Sequence, residues 1–484
     1  MKGGYMRGES AAGLAGGDGG AERLGGLIPA ALRGMAAGVA ERGGPIPAGG
    51  PAAVAASLAV EGGALPRTGV GAEQALEEFS RLLAAGSADP ADPACAAHLH
   101  CPPLAVAVAA DVVASALNPS MDSWDQAPVA SELEREFTAG IARLCYPDAG
   151  EPDAVITTGG TESNLLGLLL ARENAEVQPV CGANAHHSVA RAAWLLGLPA
   201  PIVVACEDDR MLPDALAEAL APLGPSAVVV ATAGTTNTGA IDPLPEIAQV
   251  CRRAGARLHV DASYGGMTLC SNDLRVLVAG LELADSVALD LHKFGWQPVA
   301  AGILVARDSR DLAALTVRAE YLNADDDTEA GLPDLLGRSI RTSRRPDAFR
   351  MAVTVRALGV EGLGALVERC CATAVEVAEL VEAHPGLRCW GAPALSTVVF
   401  RPMLADERGD ALVARVRRAL LEAGTAVVGR ATLPTGPDGG GQLWLKLTLL
   451  HPGTTGEDYR ALLEQVVATA GAEAVVAQES PVAS

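Results

Sequence analysis

Between residues 150 and 306 the chain alternates between two textures. Short apolar runs fall at 154–158, 201–206, 227–231, 257–261, 286–291 and 302–306. Each is too short for a stable helix, and most are apolar at odd and even positions alike. Between several of them lie Ala/Leu-rich stretches with helical spacing, at 163–173, 213–221 and 244–254. Strands apolar on both faces and separated by helices predict a mostly parallel central sheet with helices on both faces. In such open sheets, ligand sites lie beyond the C-terminal ends of the strands.

The flanks read differently. Residues 1–65 are rich in Gly and Ala with only weak helical periodicity, at 26–41, which predicts a partly disordered or loosely helical extension. A clearer helix is expected at 72–85, followed by a Pro/Asp-rich linker at 87–93. Beyond Arg345, helices at 348–358, 362–382 and 410–423 alternate with strands at 396–401, 425–429 and 442–449. The expected organisation is an extension (1–65), an N-terminal helical segment (66–150), a large α/β domain (151–345), a small α+β C-terminal domain (346–475) and a tail (476–484).

Charge narrows the function. The net charge is −22 and the pI about 4.8, so the chain lacks the basic footprint of a nucleic-acid binder and a polybasic anchor for a membrane. Asp111 interrupts the best apolar stretch, at 104–117, and no secretory leader is evident at the N-terminus. The ten cysteines are scattered without a Cys-x-x-Cys, which predicts neither a zinc site nor a disulfide framework. A reducing cytoplasm is the expected compartment, with no metal.

Only three lysines occur, Lys2, Lys293 and Lys446, among 36 basic residues. Arginine stays protonated, whereas a desolvated lysine amine can lose its proton and attack a carbonyl. Lys293 follows the apolar run 286–291 in Asp290-Leu-His-Lys293, where a surface lysine would be out of place. Four further segments sit at strand ends or helix starts. Thr157-Thr-Gly-Gly-Thr-Glu-Ser-Asn164 offers hydroxyls, close backbone approach and a helix N-terminus to an anion. Ala185-His-His-Ser-Val-Ala-Arg191 opens a helix with a histidine able to stack on a planar ring. Residues 231–239 form a hydroxyl-rich turn, Ala-Thr-Ala-Gly-Thr-Thr-Asn-Thr-Gly. Leu258-His-Val-Asp-Ala-Ser-Tyr-Gly265 ends a strand on Asp261, a buried carboxylate that needs a partner such as a protonated ring nitrogen. A lysine for a carbonyl, an aspartate for a pyridine nitrogen, a phosphate cradle and a stacking ring are what pyridoxal 5'-phosphate requires.

These motifs resemble the group II pyridoxal-phosphate-dependent amino-acid decarboxylases over roughly residues 70–470. The resemblance implies a type I aminotransferase-like fold and a homodimer. It implies that Lys293 bonds the cofactor aldehyde, Asp261 faces the pyridine nitrogen and His186 stacks on the ring. It further implies that Gly160, Thr161, Ser163, Thr236 and His292 surround the phosphate and that Ser263 lies under the ring. His98-Leu-His-Cys-Pro, Ser120-Met-Asp-Ser-Trp-Asp-Gln126 and Leu445-Lys-Leu-Thr-Leu-Leu-His-Pro452 resemble the 2,4-diaminobutyrate and siderophore-type lysine decarboxylases. They imply a small amino-acid substrate, L-2,4-diaminobutyrate or another diamino acid, with Gln126 near it. Two segments depart from the family pattern. Residues 318–345 contain a single tyrosine, Tyr321, at the start of a loop whose tyrosine protonates the substrate carbanion in relatives. Residues 294–298 replace the usual aromatic pair after the lysine. The competing expectations are decarboxylation-linked oxidative deamination, or an acidic or aromatic substrate.

Overall fold

The computed structural model describes residues 13–58, 63–317, 322, 324–434 and 440–479. The chain begins with α1 (Gly20–Arg42), α2 (Gly50–Ser57) and α3 (Ala72–Gly86). The 23-residue α1 replaces the loose helix expected of the Gly/Ala texture. The reason is close packing. A Cβ on Gly34 or Gly38 would collide with the carbonyl oxygens of Glu77 or Arg81 on α3, so the small residues bring two helix backbones into contact. Helices α4 (Ala105–Leu117) and α5 (Pro128–Cys145) follow.

The large domain then runs β1 (Asp153–Thr157), α6 (Gly160–Asn174), β2 (Gln178–Gly182), α7 (Ser188–Leu195) and β3 (Ile202–Val204). A two-stranded hairpin, β4 (Cys206–Glu207) and β5 (Arg210–Met211), precedes α8 (Pro213–Leu220), β6 (Ala227–Thr232), α9 (Leu244–Ala254), β7 (Arg257–Asp261), β8 (Ser286–Asp290) and β9 (Gly302–Ala306). Seven strands form one sheet in the order β1-β9-β8-β7-β6-β2-β3. The pairs β8–β7, β7–β6, β6–β2 and β2–β3 are parallel, and β9 runs antiparallel to both neighbours. Every residue of β6, β8 and β9 is buried, as strands covered on both faces must be.

Two expectations shift. Strand β2 was not foreseen, because Pro179 and Gly182 read as breakers in so short a run. The run at 201–206 divides between β3 and the hairpin.

After the short helix α10 (Asp325–Glu329), α11 (Asp347–Ala383) consists of two helical segments meeting at Gly359, whose φ of 72° suits glycine. The remaining elements are β10 (Leu387–Cys389), β11 (Thr397–Pro402), α12 (Leu404–Arg408), α13 (Asp410–Glu422), β12 (Gly429–Pro434), β13 (Gly441–Thr448) and α14 (Arg460–Glu479). They build a four-stranded sheet, β10-β11-β13-β12, with its own apolar core. The strand expected at 425–429 starts later, at Gly429. Val427 instead pairs with the segment just after the linker, donating to Ala94 O at 2.8 Å and accepting from Ala96 N at 3.1 Å. Tyr264 fastens the C-terminal sheet to the large domain through hydrogen bonds to Ser396 Oγ (2.8 Å) and Thr397 Oγ1 (3.0 Å). Among the described residues no helix is long and apolar enough to cross a membrane.

Candidate active site

The ends of β6, β7 and β8 and the start of α6 converge on a cavity of about 360 Å³. Asp261 is the last residue of β7 and Asp290 the last of β8, its parallel neighbour, so sheet register sets both carboxylates at one edge. Lys293 follows within a turn, and its Nζ lies 2.9 Å from Asp290 Oδ2. His292 Nε2 stands 3.6 Å from the same oxygen.

Asp261 is buried, yet its carboxylate is well supplied with donors. Ser263 donates from N (3.1 Å) and Oγ (2.6 Å) to Oδ1, and Asn164 Nδ2 donates to Oδ2 at 2.7 Å. Burial alone would raise its pKa. The Lys293 ammonium and the bonds from Ser263 and Asn164 outweigh burial and hold the carboxyl below the usual range. Asn164 also joins its Oδ1 to His259 Nε2 at 3.0 Å, and His259 Nδ1 meets Ser286 Oγ at 2.8 Å. Full burial drives the His259 pKa down to about 4, so this imidazole is neutral. His186 reaches Ser188 Oγ through Nδ1 at 2.8 Å. Burial lowers its pKa as well, against the opposing field of Asp261.

The turn before α6 is shaped by its own sequence. Glu162 Oε2 accepts from Thr158 N and Oγ1, both at 2.7 Å, closing the turn over the helix start. Gly159 adopts φ 146°, and a Cβ there would come within 2.8 Å of His292 Cε1. Across the cavity, Thr236 belongs to the turn after β6. Its carbonyl accepts from Lys446 Nζ on β13, whose amine burial pushes down to about 8 against the opposing pull of Asp209.

Of the residues singled out in the sequence, Gly160, Thr161, His186, Thr236, Asp261, Ser263, His292 and Lys293 all line this one cavity. Two do not. Ser163 is fully buried and turned toward the strand, with its Oγ 2.7 Å from Thr157 Oγ1, so it braces the turn instead of facing the cavity. Gln126 is exposed on a short turn, where its Nε2 donates to Ser123 Oγ at 2.9 Å. Tyr321 lies outside the described residues. Sequence reasoning assigned no role to Asn164, Ser188, His259, Asp290, His98 or Lys446. His98 lines the cavity with a positive φ of 64°. Alternation along β7 offered a signal for His259, which shares the face of Asp261 two residues on.

The cavity fits pyridoxal phosphate on three observations. A Cβ on Gly159 or Gly160 would fill space beside His292 and Ser263. The buried Asp290 Oδ1 has no hydrogen-bond partner. Asp261 presents a carboxylate held in its charged form.

A lysine and an aspartate at adjacent strand ends of a mostly parallel sheet, facing a glycine-lined helix start, define the class of pyridoxal-phosphate enzymes built on this fold. Comparison with known proteins narrows that class. The pyridoxal-dependent decarboxylase conserved domain matches residues 62–403. The chain is 39% identical over 417 residues to the L-2,4-diaminobutyrate decarboxylase of Rhizobium meliloti (strain 1021), covering 83% of each chain. It is 34% identical over 438 residues to that of Acinetobacter baumannii, covering 83% of this chain and 84% of the relative. Among solved structures it resembles the glutamate decarboxylase domain of diaminobutyrate-pyruvate transaminase and L-2,4-diaminobutyrate decarboxylase from Vibrio parahaemolyticus. The TM-score is 0.83 at 26% identity, with 97% of this chain and 100% of that chain covered. Mouse CSAD, at TM-score 0.81 and 24% identity over 94% of this chain and 99% of that one, shares the fold. The chain belongs to the pyridoxal-dependent decarboxylase family and is a pyridoxal-phosphate-dependent amino-acid decarboxylase of type I fold.

Proposed function

We propose that this enzyme converts L-2,4-diaminobutyrate, or a closely related diamino acid, to the corresponding amine and carbon dioxide. We further propose that it works as a homodimer in a reducing cytoplasm. The reading is carried by the meeting of Lys293, Asp261 and His186 in one cavity of a chain whose relatives at 39% and 34% identity are diaminobutyrate decarboxylases. Ten cysteines without a disulfide among them are compatible with a reducing compartment.

Pyridoxal phosphate, when bound, supplies an electron-accepting ring conjugated to the substrate amine. The chain's own residues supply the rest. Lys293 is the group for covalent attachment, and Asp290 is its counter-ion at 2.9 Å. Asp261, held as an anion, keeps a proton on the ring nitrogen. His186, neutral near pH 7, offers a flat imidazole to the ring face and a hydrogen-bonding nitrogen to the substrate. The backbone at Gly160 and Thr161, with the α6 N-terminus, receives the phosphate together with Thr236 and His292. The acid that returns a proton to the substrate carbon is proposed to come from the segment holding Tyr321.

One sequence observation favours a second outcome. Residues 322–345 contain no tyrosine. If Tyr321 does not deliver the proton, the overall reaction can instead consume molecular oxygen and water and give carbon dioxide, an aldehyde, ammonia and hydrogen peroxide. Product analysis with the loaded enzyme separates the two. Carbon dioxide with a diamine supports decarboxylation, and peroxide with ammonia supports the oxidative branch.

A further inference from the structure

The hydrogen bonds around Asn164 have a direction, and the direction reaches the cavity. An amide oxygen only accepts and an amide nitrogen only donates. Asn164 Nδ2 stands 2.7 Å from Asp261 Oδ2 and 2.8 Å from Ser188 Oγ, so both of its hydrogens are committed. Its Oδ1, 3.0 Å from His259 Nε2, therefore accepts, and the His259 proton sits on Nε2. The opposite nitrogen, Nδ1, then accepts from Ser286 Oγ at 2.8 Å. On the other branch, Ser188 Oγ receives a hydrogen from Asn164 and keeps its own for His186 Nδ1 at 2.8 Å. The Ser188 backbone N–H also points at that nitrogen, at 3.3 Å. Two donors on Nδ1 leave it no proton. Neutral His186 then carries its hydrogen on Nε2, the nitrogen left for the cavity that the ring lines. Ser188, Asn164 and His259 are all almost fully buried, so water does not compete for these bonds.

We propose that Ser188 and Asn164 are positioning residues that lock His186 as the Nε2–H tautomer, making it a hydrogen-bond donor to the carboxylate of the bound amino acid, and that the same amide orients Asp261. One relay thus sets the groups on two sides of the cofactor site. A protonated Nδ1 would instead leave Nε2 as an acceptor, which repels a carboxylate. The charged or titratable groups near His186 are Asp261, His187, Lys293 and Asp290. None of them donates to Nδ1. The substrate half of the proposal rests on the decarboxylase reading; the tautomer half does not.

The test uses full-length protein carrying 15N-histidine, first without cofactor. Two-bond proton–nitrogen correlations report the tautomer of each of the eight histidines. His186 is assigned by its loss in His186→Gln. The expected result is Nε2–H for His186 in the wild type. In the isosteric Asn164→Asp variant, an acceptor replaces the amide nitrogen and draws the Ser188 hydroxyl away, so Nδ1–H becomes populated. Ser188→Ala should shift the tautomer in the same direction, to a smaller extent because the backbone N–H remains. With cofactor bound, kcat in Ser188→Ala should fall on the order of tenfold, the scale of one lost hydrogen bond, with KM moving less. A merely structural role would lower the melting temperature and leave the tautomer alone. Nδ1–H in the wild type overturns the proposal, as does an unchanged Nε2–H tautomer in both variants. A failure of the decarboxylase reading would show separately, as absence of cofactor attachment with the tautomer intact.

Discussion

Lys293 and Asp261 are the residues proposed to carry the chemistry, and each can be tested by its own loss. Lys293→Ala removes the amine proposed to bond the cofactor. Borohydride reduction of the wild type should therefore leave cofactor mass on the peptide containing Lys293, and the variant should retain none after dialysis under the same treatment. Adduct found at Lys446 instead would refute the assignment. Asp261→Asn keeps the shape but loses the charge proposed to hold a proton on the ring nitrogen. We expect kcat to fall at least about a hundredfold, the scale of one preorganised electrostatic contact, and a near-normal kcat would exclude the role. These two residues stand out in the sequence because rarity and position expose them. One of three lysines adjoins a buried strand, and a carboxylate ends another. Asn164 was not legible in its role, although it lies in a segment already singled out. Its partners Asp261 and His259 are 97 and 95 residues away, and only the fold brings them to one amide. The orientation of Ser163 was hidden for a related reason. A hydroxyl in the first turn of a helix faces either the ligand or the preceding strand, and residue type does not distinguish the two.

At the scale of elements, two packing features set expectations for stability. Arg344, before α11, and Glu134 on α5 form an ion pair at 2.7 Å with side chains only 1% and 4% exposed. Removing one partner strands a buried charge. Glu134→Ala should destabilise by about 3–5 kcal/mol in urea unfolding, and Glu134→Ala with Arg344→Met by clearly less. Equal losses would show that the pair is not a unit. His259 links β7 to α6 and gives a pH signature. Its pKa is about 4 folded and 6.5 free. As pH falls from 6.5 toward 4 the unfolded chain takes up the proton first, so this residue's contribution to stability drains away across that window. By pH 5 the loss is about 2 kcal/mol. His259→Gln should show a flatter decline between pH 7 and pH 5, and an identical slope would mean that the imidazole is not held neutral. The strands of the central sheet were largely legible because burial on both faces leaves continuous apolar runs. Strand β2 was hidden by Pro179, and the 425–429 segment by its pairing with Ala94 and Ala96, more than 300 residues earlier in the chain. Small residues made α1 look weak, although they are what lets it approach α3.

For the molecule as a whole, the architecture followed from alternation of strand and helix, while the arrangement of subunits is a property of two chains. Sedimentation of the cofactor-loaded enzyme should give a mass about twice the 49.1 kDa of one chain, and a monomer that retains full activity would refute the proposed homodimer. The central claim is the reaction. Its most direct test is product analysis of the purified, pyridoxal-phosphate-loaded enzyme with L-2,4-diaminobutyrate, beside lysine, ornithine, glutamate, aspartate, tyrosine and DOPA. Carbon dioxide and 1,3-diaminopropane are expected in equal amounts from L-2,4-diaminobutyrate, without peroxide. Peroxide, ammonia and an aldehyde in place of the diamine, or no carbon dioxide from any amino acid while cofactor is attached to Lys293, would contradict the claim.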